Sequence, residues 1–217
     1  MLDFTILIDN LDVYLQGFGN TVKTSVIALI CSFILGVIIA VMRISPMKVL
    51  SAAGTAYVEF VRNIPLILIA FFFFYGLPGL GFKLNGYQSG TVALTIYTAA
   101  FIAEAVRAGI QSVSKGQMEA ARSSGLTYIQ AMRYVILPQA IKIVIPPLGN
   151  QFINLVKNSS ILGVITGLDL MYFGDSVASK TYVIFDTYIF VAMFYLVLTI
   201  PLSIFVGYLE RRLAVSG

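Results

Sequence analysis

An all-α integral membrane fold is what this sequence predicts, and three observations predict it. Hydrophobic residues make up 59% of the 217 and charged residues only 11%, against about 25% charged in soluble domains. Residues 24–42, 63–82, 84–103 and 187–209 carry no charge, and each approaches the roughly 20 apolar residues that cross a bilayer. A fifth apolar run, 146–168, is broken only by Lys157. Finally, Lys and Arg collect on alternate connections between these runs, as topology requires.

The elements follow in chain order. Asp3, Asp9 and Asp12 precede the first run and leave it without the basic leader of a cleavable signal, so the first span is expected to be retained. The second run opens with Glu59, Arg62, Asn63 and Pro65. Glu59 and Arg62 have the spacing of a helical ion pair, and Pro65 removes a backbone donor, freeing a carbonyl that membrane depth tolerates only against protein or water. The aromatic run Phe71 to Tyr75 circles its helix and reads as lipid and neighbour contact rather than a cage. Leu77 to Gln88 is a short outer connection. The third run ends with Glu104 and Arg107, again an i, i+3 pair, with Tyr97 and Phe101 continuing that face.

Between the third and fourth runs lies the polar stretch Ser114 to Pro138. Ser114 with Gln117, and Thr127 with Gln130, have the spacing of capping boxes, and Gly125 suits a left-handed stop between them. A helix over 115–124, about 15 Å long, and a second from about 128 until Pro138 stops or kinks it are the expected result.

The fourth run carries Asn150, Asn154, Lys157 and Asn158 at offsets of 0, 4, 7 and 8, with Gln151 beside them, so these groups share a helix face. A lipid-facing stripe of this kind is untenable. It lines a path or an interface, or it joins helices by hydrogen bonds. Lys157, Asn158, Ser159 and Ser160 supply donors suited to a carboxylate. Leu170 to Asp186 reads as the last outer connection.

Arg43 and Lys48 follow the first span, five basic residues from Arg107 to Lys142 follow the third, and Arg211 and Arg212 follow the last, whereas only Lys83 and Lys180 fall in the opposite loops. The Ser114 loop and the C-terminus are therefore expected in the cytoplasm and, with five spans, the N-terminus outside. The net charge of +4 reflects this topology and is not a sign of nucleic-acid binding. The absence of histidine and the single cysteine, Cys31, exclude His-based metal sites and intrachain disulfides. No Gly-rich Walker sequence is present, so ATP hydrolysis by that route is excluded.

Residues 1–217 read as one membrane domain with a cytoplasmic loop of about 111–142. Five helices are a thin enclosure for a path, and pairing of two chains is the natural way to complete it.

Several segments carry a resemblance. Glu119, Ala120, Ala121, then Gly125, then Val135, Leu137 and Pro138 resemble the EAA loop of permease subunits of ATP-binding-cassette importers, with Val135 in place of the usual Ile. Phe60 to Leu66 resembles the FRGTPL segment of polar amino-acid permeases, with Asn63 and Ile64 replacing Gly and Thr. Tyr97 to Glu104 and Leu155 to Ser160 resemble two further segments of that group. The resemblance implies a type I importer-like fold in which Glu119, Ala120, Ala121, Ser124, Gly125, Leu137 and Pro138 couple the chain to an ATPase. Ala120 and Ala121 would permit close seating, and Gly125 would fix the angle to the next helix. Arg62, Asn63, Tyr97, Glu104, Asn150, Asn154, Lys157, Asn158, Ser159, Ser160 and Asp169 are the expected substrate path.

The resemblance also implies partners: two ABC ATPase subunits carrying ATP and Mg, a second membrane subunit that is expected to be an identical chain, and an extracytoplasmic amino-acid-binding protein. On this resemblance the chain itself is expected to bind no cofactor or metal and to lie in the prokaryotic inner or plasma membrane. Asp169, Asp175 and Asp186 against a single Lys180 on the outer side favour a basic cargo such as arginine, lysine or histidine, with glutamine or glutamate the alternative. Two rivals stand beside this reading. One is a membrane enzyme built on Lys157 with Ser159 or Ser160, and the other an ATP-independent channel or carrier, for which the capped Ser114 to Pro138 lever has no obvious use.

Overall fold

The computed structural model describes residues 2–214. Met1 and residues 215–217, the ends of the expected domain, lie outside them. The described residues form helices α1 (Phe4–Asp9), α2 (Leu11–Ile44), α3 (Lys48–Arg62), α4 (Leu66–Phe71), α5 (Gly86–Ser112), α6 (Lys115–Ser123), α7 (Tyr128–Ala131), α8 (Leu137–Asn158), α9 (Leu170–Thr181) and α10 (Ile184–Ala214).

The centre is α2 packed on α5, and the reason is side-chain size. Along α2, Gly17, Thr21, Ser25, Ala28, Ser32, Gly36 and Ala40 recur every third or fourth position and are all buried. On α5, Ser89, Gly90, Ala93, Ala99, Ala100 and Ala103 are likewise buried: Ala93 clusters with Ala28, Ala100 and Ala103 with Ala40, and Gly36 closes on Ala99 and Ile102. Small residues let two backbones approach where lipid provides no hydrophobic drive between helices. The large residues of α2, among them Ile30, Phe33, Ile34, Ile38 and Val41, point outward and are exposed. The code that sorts this helix is therefore small against large, not polar against apolar.

Among the described residues three helices, α2, α5 and α10, are long and apolar enough to cross a membrane unbroken, and two bent pairs bring the candidates to as many as five. The second expected span is not one rod. Lys48–Arg62 and Leu66–Leu80 meet at 103°, because Pro65, at φ −58° and ψ 137°, is extended and donates nothing. Beyond Phe71 the chain passes through a π-helical turn, Phe72–Gly76, and a 3-10 turn that Gly81 ends at φ +89°. Phe71, Phe73 and Phe74 pack against the core while Phe72 and Tyr75 are exposed, in line with a run that circles its helix.

The fourth expected span is longer than its apolar run. Helix begins at Tyr128 and continues to Ile165 before turning by 49° into α9. Pro138 does not stop it. The turn before it, Met132–Ile136, is π-helical, with the Leu137 N–H reaching back to the Met132 carbonyl, and Pro138 falls in the first turn of α8, where its missing donor is tolerated. The outer connection expected from Leu170 to Asp186 contains the helix α9, which the Asp169 side chain starts by accepting from the Met171 and Tyr172 amides, both at 3.1 Å.

Candidate functional site

The polar lever has the predicted punctuation at two of its marks, Gly125 and the Thr127–Gln130 box. α6 ends in a Schellman motif: Leu126 N–H bonds the Ala121 carbonyl at 3.2 Å, Gly125 N–H bonds the Arg122 carbonyl at 3.1 Å, and Gly125 sits at φ +87°. Thr127 and Gln130 form a reciprocal capping box. Ser114 does not: its side chain makes no cap bond, and Gln117 instead meets Gln139 at 3.5 Å. Glu119, Ala120, Ser124 and Gly125 are exposed, whereas Ala121 is buried inside the chain. Only Ala120 is thus free to seat against another surface. Leu137 and Pro138 are exposed on the following helix.

At the same end, one carboxylate gathers three cations. Glu104 accepts from Arg43 of α2 and, at 2.6 Å, from Arg107 of its own helix, while Arg62 of α3 stands 3.9 Å away. The expected Glu59–Arg62 pair is not formed. Glu59 approaches Arg43 at 4.0 Å, and Arg62 turns to Glu104 and to the Phe101 ring, 5.4 Å from its centroid. Glu104 wins because it already concentrates charge where α2, α3 and α5 converge, while Glu59 is largely exposed. Asn63 donates to the Glu59 carbonyl at 2.6 Å, and Tyr97 packs on Phe101 at 4.9 Å. Arg43 had no local signal in the sequence beyond its topological charge, since its partner lies 61 positions on.

The amide stripe survives folding. Asn150 and Lys157 are exposed and Asn154 and Asn158 half-buried. Among the described residues no hydrogen bond engages the Asn150, Asn154 or Asn158 side chains. The serines differ. Ser159 is fully buried and donates to the Val156 carbonyl at 2.8 Å, and Ser160 donates to the Lys157 carbonyl at 2.8 Å. Both hydroxyl protons are spent on backbone, so neither serine supplies the free donor expected of it, nor a proton relay with Lys157.

Asp169 is not on an open path in this chain. It is fully buried, caps α9, and accepts from the Tyr195 hydroxyl of α10 at 3.3 Å, next to the Leu170 N–H that donates to Thr21 of α2 at 2.9 Å. Asp175 accepts from Tyr188, and Asp186 accepts from the Asp3 amide at 2.9 Å. Asp169, Asp175 and Asp186 thus help to hold α1, α9 and α10 together, and the basic cargo inferred from them gains no support from this geometry. Among the described residues no group of His, Cys, Asp and Glu side chains is placed to hold a metal ion.

The comparisons with known proteins agree with this geometry. Residues 32–215 match the family described as binding-protein-dependent transport system inner membrane component. The chain is 70% identical over 215 residues to the probable glutamine ABC transporter permease protein GlnM of Bacillus subtilis (strain 168), covering 99% of this chain and all of that one. It is 37% identical to the probable glutamine ABC transporter permease protein GlnP of the same organism, over 91% of this chain and 92% of that one. Its fold superposes on the crystal structure of an amino acid ABC transporter with histidines at a TM-score of 0.92 and 38% identity, covering 98% of this chain and 99% of that one. A membrane-long α2–α5 core, a capped polar lever and a polar stripe at membrane depth thus belong to a chain that is a member of the inner-membrane permease family of amino-acid ABC transporters.

Proposed function

We propose that this chain is the subunit through which glutamine, rather than a basic amino acid, enters the cell, driven by ATP hydrolysis on separate subunits. The observation that carries the cargo is the α8 stripe: Asn150, Asn154 and Asn158 present amides that no hydrogen bond among the described residues engages, with Lys157 among them and no carboxylate. An amide both donates and accepts and so matches a carboxamide side chain, and the ammonium suits an α-carboxylate. A cationic side chain would find no opposite charge there. The relative at 70% identity, carrying a glutamine permease name, supports the same reading.

Exposed Asn150 and Lys157 cannot face lipid. A second membrane subunit, read here as an identical chain, covers the stripe and completes the passage, together with Arg62, Asn63, Tyr97 and Glu104. The basic end of the bundle faces the cytoplasm in this reading. There α6 seats on an ATPase through Glu119 and Ala120 and passes its movement to α8 through the rigid Gly125 turn. An external binding protein delivers the cargo.

Two measurements test this. In proteoliposomes holding the assembled importer, unlabelled glutamine is expected to suppress labelled glutamine uptake far more than arginine does, and the reverse order overturns the cargo. Co-purification with the ATPase subunits, comparing wild type with Glu119→Lys and Gly125→Pro, is expected to lose complex or substrate-stimulated hydrolysis in the variants. Uptake that persists without the ATPase would instead support a channel or carrier.

A further inference from the structure

We propose that the cavity between the ends of α2 and α5 and the start of α6 binds the phosphate of an anionic membrane lipid. The cavity holds about 630 Å³ and is lined by Arg43, Gln111, Ser114 and Lys115 beside apolar residues that include Ile110 and Met118, with no carboxylate among its lining.

Three features make it an anion site. The Arg43 side chain is only 7% exposed, and although its Nη1 pairs with Glu104, its Nε has no hydrogen-bond partner. A buried donor left unmade is costly, and an anion in the cavity supplies the missing acceptor with little rearrangement. The second feature is the start of α6. This nine-residue helix begins at the cavity, and the Ser114 hydroxyl that should cap it makes no cap bond. The Gln117 amide bonds the Ser114 carbonyl at 3.0 Å, so the amides of Lys115 and Gly116 are the ones left to an anion, and the helix dipole favours one there. Lys115 adds a full positive charge at the same point.

The location selects the source of the phosphate. α2 and α5 are membrane-long helices, so a cavity at their shared end sits at the level of lipid headgroups. Its apolar lining suits the glycerol and first methylenes of a lipid, which inorganic phosphate lacks. Basic pockets between membrane helices bind headgroups in this way. A headgroup held between Arg43 and Lys115 ties α6 to α2, so the stance of the lever becomes sensitive to the lipid around it. The site draws only on helix ends and a bilayer and is independent of the cargo reading.

Native mass spectrometry of the full chain released from nanodiscs tests this. Phosphatidylglycerol is expected to stay bound where phosphatidylcholine is lost. Lys115→Gln is expected to weaken phosphatidylglycerol retention about fivefold, the effect of one basic residue near a lipid surface, and Gln111→Glu, which adds a carboxylate to the cavity, is expected to weaken it further. Both positions are exposed, so both variants should fold, which circular dichroism checks. Equal retention of the two lipids, or retention unchanged in both variants, overturns the proposal. Displacement of the lipid by excess inorganic phosphate that itself remains bound overturns the lipid source and leaves a site for free phosphate.

Discussion

Glu104 on α5 accepts the guanidinium of Arg43 on α2, 61 positions earlier in the chain. The Arg43 side chain is 7% exposed and that of Glu104 24%, so the pair lies where water screens little. With Arg107 on the other side of the carboxylate and Arg62 at its edge, a single negative charge fixes the meeting point of three helices.

Glu104→Gln leaves the Arg43 cation buried without its counter-charge. A loss of about 3 kcal/mol is expected, read by denaturant unfolding in detergent. Arg62→Gln, which touches the cluster only at 3.9 Å, is expected to cost under about 1 kcal/mol, the range of exposed pairs. Equal costs for the two variants would mean that the carboxylate is not the centre of the cluster.

Gly86 and Gly125 are required for different reasons, and alanine separates them. A Cβ on Gly86 would lie 1.9 Å from the Ile165 carbonyl oxygen, backbone that cannot swing aside. Gly86→Ala is therefore expected to cost about 3 kcal/mol through overpacking and to lower the yield of inserted protein. A Cβ on Gly125 meets nothing within 4 Å, and the only cost is the left-handed backbone, about 1–2 kcal/mol. Hydrogen exchange should then rise in α6 alone. Faster exchange throughout α5 in Gly125→Ala would contradict this assignment.

Asp169→Ala removes the cap of α9 and the acceptor for Tyr195 together. The expected cost is about 2 kcal/mol, that of a strong cap plus an orphaned hydroxyl. Exchange at residues 170–181 should accelerate before exchange in α2 does. If α9 is as protected in the variant as in wild type, the carboxylate is not what starts the helix.

The lever was legible because its signals are local. Gly125 and the Thr127–Gln130 box act within one turn of chain, and the structure reproduces both. The Ser114 box failed although its spacing is the same, because Gln117 lies beside Gln139, 22 positions away, and a competing partner at that range leaves no mark in spacing. The same holds for Glu59 and Arg62. Either could pair locally, but Arg43 and Glu104 arrive from other helices and rearrange the set.

The sequence by itself determined that the chain lives in a membrane, where its apolar runs lie, and where the polar lever begins and turns. These follow from composition and from interactions within a few residues, which the chain carries wherever it goes. Only the tertiary structure decided which face of each span is inward, that Asp169 caps α9 while Asp175 and Asp186 bond to Tyr188 and Asp3, and that Glu104 serves three helices. In a bilayer, large apolar side chains satisfy lipid and protein alike, so burial is decided by how closely two backbones can approach. That depends on small residues from α2 and α5 meeting in register, a relation between distant segments that exists only once they have packed.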